Sequence, residues 1–175
     1  LWLSKGGEKV VSHNISVAGT GYVGLCTAVG FASKGYRVIT STHDPEKASL
    51  INKGIPPFYE PQLQELLQKV VKEGCLKCVL NREEATFIAV ATPRQPDGSI
   101  NLQYIKETVC EIGEALKEKN AYHLVVVKST VVPGTSEGVV KPAIEEHSGK
   151  RCGDAFGLCM SPEFLREGSA IEDTL

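Results

Sequence analysis

The chain has 175 residues, 42% of them hydrophobic and 23% charged, which is enough for one domain with a substantial core. Its 19 Lys and Arg against 21 Asp and Glu leave a formal charge of -2, which argues against a nucleic-acid or polyanion binder driven by bulk charge. No run approaches the roughly 18 apolar residues of a membrane helix, and residues 1–13 carry no apolar stretch of the signal-peptide kind, so they read as an extension ahead of a cytoplasmic protein with no membrane partner.

From residue 14 onward, strand-like and helix-like segments alternate. That pattern predicts an α/β fold, doubly wound, with a mainly parallel sheet and helices on both faces. Ile15 to Ala18 is a short apolar strand, and it runs into Gly19-Thr-Gly-Tyr-Val-Gly24 and an apolar helix to about Lys34. Gly35 fits the C-terminal cap of that helix. Tyr36 to Ser41 is a second strand. Asp44 then reads as an N-cap with Pro45 at the first helical position, in a helix ending near Gly54.

Leu63, Leu66, Leu67, Val70 and Val71 recur at i, i+3, i+4, i+7 and i+8, an amphipathic helix that Gly74 stops. Leu76 to Leu80 and Phe87 to Ala91 are strands. Asn101 is placed to cap a helix carrying Leu102, Ile105, Val109, Ile112 and Leu116 on one face. Leu124 to Val127 is a buried strand, a helix is expected over about Ser136 to Glu146, and Phe156 to Met160 is the last strand. No repeat or linker interrupts residues 14–175, which read as one domain. Only Asn81 to Thr86 separate the third and fourth strands, whereas a crossover between parallel strands usually needs about a dozen residues. Either those strands pair differently or a helix has been lost there.

The six cysteines, Cys26, Cys75, Cys78, Cys110, Cys152 and Cys159, lie in apolar or strand-like contexts and read as reduced thiols. Cys75-Leu-Lys-Cys78 is the only CxxC. It lacks a second ligand pair and falls in a strand-like run, so neither a metal nor a redox site is expected.

The chemistry concentrates where the strands end. Gly19-x-Gly21-x-x-Gly24 follows a strand and opens a helix, the context required of a dinucleotide site. The first glycine permits the turn, the second lets the backbone approach a pyrophosphate, and the third seats the helix on the strand. The acid that normally ends the second strand and binds the ribose 2′-hydroxyl is replaced by Thr42, which leaves NAD against NADP open. Asp44 reads first as the helix cap and second as a ribose ligand. Lys47, one turn into that helix, is either a surface lysine or a ribose contact. Thr92, Thr130 and the Ser161–Gly168 run would face the same crevice. Glu163 and Glu167, four apart, would share one helical face. There they either raise each other's pKa toward proton-transfer work or simply complement the helix dipole.

Taken together, Gly19–Gly24, Phe58-Tyr-Glu-Pro61, Thr92-Pro93 with Asp97-Gly98, Ser129-Thr-Val-Val-Pro-Gly-Thr135 and Ser161-Pro-Glu-Phe-Leu-Arg-Glu-Gly168 occur in an order that closely resembles the N-terminal, Rossmann-like domain of the UDP-glucose/GDP-mannose dehydrogenase family. The resemblance runs from about Asn14 to the end. It implies an oxidoreductase that turns a sugar C6 alcohol into a carboxylate in two hydride transfers to NAD, through a cysteine thioester. The nucleotide sugar it implies is UDP-glucose first, with UDP-N-acetylmannosamine and GDP-mannose behind, and the whole enzyme would be a homodimer.

Carried over by position, the resemblance places Gly19, Gly21, Tyr22, Val23 and Gly24 around the cofactor and Thr42 with Lys47 at the adenosine ribose. It places Thr92 and Thr130 on the ribose–nicotinamide side, with Thr130 also holding an active-site water. Glu163 would assist thioester hydrolysis or proton transfer, and Glu167 would lie beside the nicotinamide and that water. Glu163, Phe164, Leu165, Arg166 and Glu167 would border the sugar nucleotide.

Three departures stand out: Thr42 in place of the acid, the short 81–86 connection, and no cysteine in the glycine-rich context where the family carries its catalytic thiol. The expectation is therefore a chain that binds NAD but does not complete the oxidation alone. A non-catalytic NAD-binding module is the alternative.

Overall fold

A computed structural model describes residues 14–80 and 87–175. The residue 1–13 extension and the Asn81–Thr86 connection lie outside these. Six strands form one sheet in which every pair is parallel: β1 (Asn14–Ala18), β2 (Arg37–Ser41), β3 (Leu76–Val79), β4 (Phe87–Ile88), β5 (His123–Val127) and β6 (Phe156–Met160), in the order β3-β2-β1-β4-β5-β6. The chain moves outward from β1 through β2 to β3, then returns past β1 to β4. The strand order therefore reverses between β1 and β4, and it is at such a switch point that open α/β sheets bind ligands, beyond the carboxyl ends of the strands. Strands β3 and β4 do not pair with each other but belong to the same parallel sheet, with β2 and β1 between them.

Helices α1 (Tyr22–Ser33), α2 (Pro45–Asn52), α3 (Leu63–Lys72), α4 (Gln103–Lys117), α5 (Lys141–Ser148) and α6 (Ala170–Thr174) complete the fold. Two apolar cores form because successive strand side chains point to opposite faces. Val17 on β1 joins Leu25 and Val29 of α1, Leu67 and Val70 of α3 and Ile171 of α6 on one face. Ala18, Val125, Val127 and Phe156 join Ile105, Val109 and Ile112 of α4 and Ile144 of α5 on the other. Each of the larger side chains contributes roughly 1.5–3 kcal/mol by leaving water. Helix α1 is apolar nearly all round because it is covered by the sheet, α3 and α6.

Several boundaries differ from the sequence reading, each for a physical reason. Strand β4 has two residues rather than five. Beyond Ile88 the chain leaves the ladder: the Lys128 and Ser129 amides both donate to the Ile88 carbonyl, and the Ser129 hydroxyl takes the Val90 carbonyl at 2.7 Å. The helix expected over Ser136–Glu146 begins as a π-helical turn, Ser136–Val140, and becomes α-helical only at Lys141. Pro142 has no amide to donate and its ring crowds the carbonyl four residues back, which loosens the turn before it. The N-cap of α4 is Leu102 rather than Asn101; Asn101 stands one residue earlier, where its Oδ1 accepts the Gln103 amide at 2.8 Å.

The largest correction concerns Ser161–Gly168. This run is not helical, and the helix it precedes, α6, begins only at Ala170. Glu163 and Glu167 therefore do not share a helical face. Pro162 lacks an amide, and the Glu163 side chain takes its own Leu165 amide at 2.9 Å, a local bond that competes with helix.

Candidate functional site

The cofactor loop is built by three glycines with three different constraints. Gly19 has φ +114°, and a Cβ there would stand 2.5 Å from the Ala89 carbonyl oxygen. A Cβ on Gly24 would stand 2.2 Å from the Gly19 carbonyl oxygen. These two glycines let β1, α1 and β4 close on one another. Gly21 is the opposite case, since a Cβ there meets nothing within 4 Å. Its neighbourhood is open space at the N-terminus of α1, whose first turn carries no acid and whose cap makes no side-chain hydrogen bond. Free amides, the positive end of a 12-residue helix and room beside the backbone are what a diphosphate requires.

Two clefts flank this loop and share Gly21 and the Ala89–Ala91 backbone. One, of about 470 Å³, is lined by Ser41, Thr42, His43, Asp44, Lys47 and Tyr104. The other, of about 210 Å³, is lined by Tyr22, Val23, Thr92, Lys128, Ser129 and Thr130. The structure thus gathers Thr42 with Lys47 on one side of the glycine loop, and Tyr22, Val23, Thr92 and Thr130 on the other.

On the larger side, Asp44 Oδ1 accepts the Glu46 amide at 3.0 Å and the Lys47 amide at 3.1 Å, so its cap role is realised. The Thr42 hydroxyl accepts the Asp44 amide at 3.3 Å. On the smaller side, the Thr92 hydroxyl donates to the Thr130 carbonyl at 2.8 Å and ties two loops together.

Glu163 to Glu167 do not line either cleft, but Tyr22 brings them alongside. Its hydroxyl lies 3.0 Å from the Arg166 carbonyl and 2.8 Å from Glu60 Oε2. Within the segment, Leu165 packs on the core while Phe164 is 83% exposed. The Arg166 guanidinium is turned away to Asp173, with Nη2–Oδ1 at 2.7 Å and Nε–Oδ2 at 3.2 Å. The paired guanidinium and the Arg166 amide hold Asp173 below the usual carboxylate range.

Glu60 is the buried carboxylate beside this site that the sequence reading did not single out. It is 4% exposed, and its carboxylate accepts from Tyr22, from the Gly168 amide at 2.9 Å and from the Ala170 amide at 2.7 Å. Burial alone would push its pKa up. The Gly168, Tyr22 and Ala170 donors outweigh burial and hold it below the ordinary value. The same burial, with Glu60 adding to it, raises the Tyr22 hydroxyl well above the usual tyrosine range. The only hint in the sequence is a carboxylate inside Phe58-Tyr-Glu-Pro61. Its partners stand 38, 108 and 110 residues away, beyond the reach of any periodicity.

The parallel sheet, the glycine loop at its switch point and the open helix N-terminus define a dinucleotide-binding α/β domain. Residues 13–175 match the family model described as the UDP-glucose/GDP-mannose dehydrogenase family, NAD binding domain, and the chain belongs to that family. It is 43% identical, over 92% of its length and 38% of the relative's, to UDP-glucose 6-dehydrogenase AglM of Haloferax volcanii. It superposes with a TM-score of 0.88 and 43% identity on a ternary complex of GDP-mannose dehydrogenase from Pseudomonas aeruginosa, covering 91% of this chain and 38% of that one. A UDP-glucose dehydrogenase from Pyrobaculum islandicum gives a TM-score of 0.87 and 42% identity, covering 98% and 40%. The chain spans about two fifths of the length of these relatives. Among its described residues, no helix is long and apolar enough to cross a membrane.

Proposed function

We propose that this chain supplies the NAD site of a nucleotide-sugar 6-dehydrogenase that oxidises a sugar C6 alcohol to a carboxylate, with UDP-glucose as the first substrate and GDP-mannose as its competitor. The observation that carries the reading is the contrast among the glycines: Gly19 and Gly24 admit no side chain, whereas Gly21 faces empty space at an uncapped helix N-terminus.

When bound, NAD supplies the hydride acceptor. The chain's own residues bind and orient. The Gly21–Gly24 backbone and the start of α1 hold the diphosphate, with Tyr22 and Val23 walling it. Thr42 and Lys47 take the adenosine ribose, and Thr92 and Thr130 the ribose–nicotinamide side. Thr130 also holds the reacting water. Glu163 accepts or returns a proton at its carboxylate, Glu167 lies beside the same water, and Glu163 to Glu167 border the sugar nucleotide. The 83% exposure of Phe164 and the unpacked Glu167 side chain support a segment that meets a ligand.

On this reading none of the six cysteines carries the acyl group, since none lies in the glycine-rich context of the family's catalytic thiol. Burial pushes the Cys26 thiol up to about 12, with Glu60 adding to it, and the Cys78 thiol up to about 11. Neither is a nucleophile near neutral pH. The open thiol, Cys159, sits on the edge strand β6.

Calorimetric titration with NAD and NADP in parallel tests the site: NAD binds, and more tightly than NADP. Binding of neither overturns the reading. Incubation of the 175-residue chain with UDP-glucose and NAD yields no UDP-glucuronate, and product formation overturns the assignment of the thiol.

A further inference from the structure

The segment that bears Glu163 and Glu167 is held in place by unusual means. Pro162, Phe164, Arg166, Glu167 and Gly168 are all exposed, and Leu165 is its one side chain packed on the core. Past Ser161, whose N–H still bonds to the Val127 carbonyl, the segment's amides leave the ladder. Leu165 N–H goes to Glu163, Arg166 N–H to Asp173, and Gly168 N–H to Glu60. A stretch with so little buried apolar surface opens easily unless its polar ties hold it.

Two side chains tie the far end of the segment to distant parts of the chain: Tyr22, whose hydroxyl lies 3.0 Å from the Arg166 carbonyl, and Glu60, which alone reaches the Gly168 and Ala170 amides. One carboxylate oxygen accepts both Gly168 N–H and the Tyr22 hydroxyl, and the other accepts the Ala170 N–H. Ala170 is the first residue of α6, and Ser169 before it makes no side-chain cap. Glu60 therefore does the work of a cap from more than a hundred residues away. Its third partner, Tyr22, is the first residue of α1 and follows Gly21 directly, so it grows from the turn whose amides face the diphosphate space. The Tyr22 ring is pinned against Phe58 at 5.5 Å, and Phe58 stands two residues before Glu60. Cofactor loop, carboxylate and segment form one hydrogen-bonded chain.

We propose that Glu60 is a positioning residue that makes the order of the Ser161–Ser169 segment depend on occupancy of the cofactor loop. The inference rests on the NAD site proposed above. A diphosphate seated on the α1 amides fixes Tyr22, Tyr22 fixes the Glu60 carboxylate, and the carboxylate fixes the Gly168 and Ala170 amides. Coupling between sites is reciprocal, so loosening Glu60 also weakens NAD.

The test is hydrogen exchange at the Gly168 and Ala170 amides, with and without NAD. Two variants join the native chain, E60Q and Y22F, and each is studied at NAD concentrations scaled to its own measured affinity. In the native chain NAD slows both amides by about fivefold or more, although neither lines a cofactor cleft. In both variants that NAD-dependent slowing disappears, whatever their exchange rate without NAD. The Gly149 amide, bonded within α5 on the opposite face, is unmoved by NAD throughout. A purely structural role for Glu60 would raise the basal exchange rate and leave the NAD-dependent part intact, and that result overturns the proposal. NAD binding to the native chain without slowing at Gly168 and Ala170 overturns it too. Where E60Q fails to fold, E60D, which withdraws the carboxylate from its donors, takes its place, because Y22F also removes the Tyr22 contact with the Arg166 carbonyl; NAD-dependent slowing that persists in E60D overturns the proposal. Absence of NAD binding in the native chain is the separate failure of the site itself and removes the coupling with it.

Discussion

The two clefts beside the glycine loop are assembled by different means. The larger one is built mainly from two local units, with Ala89–Ala91 and Tyr104 closing it: Gly19 to Gly24 lead straight from β1 into α1, and Ser41 to Lys47 lead straight from β2 into α2. Its capping bonds span two or three residues, Asp44 to the amides of Glu46 and Lys47. The smaller cleft is long-range. Thr92 bonds to Thr130, and Ser129 to Val90, across 38 and 39 residues, and the neighbouring segment is reached through Glu60 across more than a hundred. A cofactor half-site can be written into a strand–loop–helix unit. A reacting half-site needs loops from several strands, and those are fixed only once the sheet has formed.

The sharpest way to break this comparison is at the glycines of the shared loop. Gly24→Ala places a Cβ 2.2 Å from the Gly19 carbonyl oxygen, a backbone obstacle that cannot swing aside, and is expected to cost about 3 kcal/mol or prevent folding, read from urea unfolding. Gly21→Ala is its counterpart. It sits at φ -73° and ψ -173° with nothing within 4 Å, so stability stays within about 0.5 kcal/mol while NAD affinity falls on the order of tenfold by calorimetry. Equal behaviour of the two variants would mean that the open space at Gly21 is not the phosphate site.

The long-range half is probed through Glu60. In Glu60→Gln the new amide NH2 meets the donors now facing one or other oxygen, and roughly 2 kcal/mol of stability is lost near neutral pH. The pH dependence follows from the sign of the shift. Folding lowers this carboxyl below its ordinary value of 4.5, so the contribution is full above 4.5 and is lost as pH falls through the lower, folded value. Urea midpoints measured from about pH 6 to pH 3 fall for the native chain, and the fall is shallower in E60Q. An identical slope for both would take the carboxylate out of the linkage.

The local half sharpens with two smaller changes. Thr42→Asp restores an acid at the end of β2 and is expected to weaken NADP by about tenfold relative to NAD, measured by parallel titration. Asp44→Ala removes a cap that serves two amides and lowers stability by about 1 kcal/mol in thermal or urea melts. NAD affinity changes by less than about threefold, because the residue's bonds go to its own helix; a tenfold loss would make Asp44 a ribose ligand as well.

The amino-acid sequence by itself determined the alternating elements, the parallel sheet, the glycine loop at the first turn and the Asp44 and Gly35 caps. All of these rest on spacings of two to eight residues, where periodicity and backbone stereochemistry act directly. The motif order also carried the family. Only the tertiary structure decided that β4 is cut to two residues, that Ser161–Gly168 is irregular and ends in a turn rather than forming a helix, and that Arg166 turns to Asp173. It alone revealed Glu60. A buried carboxylate is stable only where donors converge on it, and Tyr22, Gly168 and Ala170 converge only after α1, the α2–α3 loop and the start of α6 have packed on the same face of the sheet.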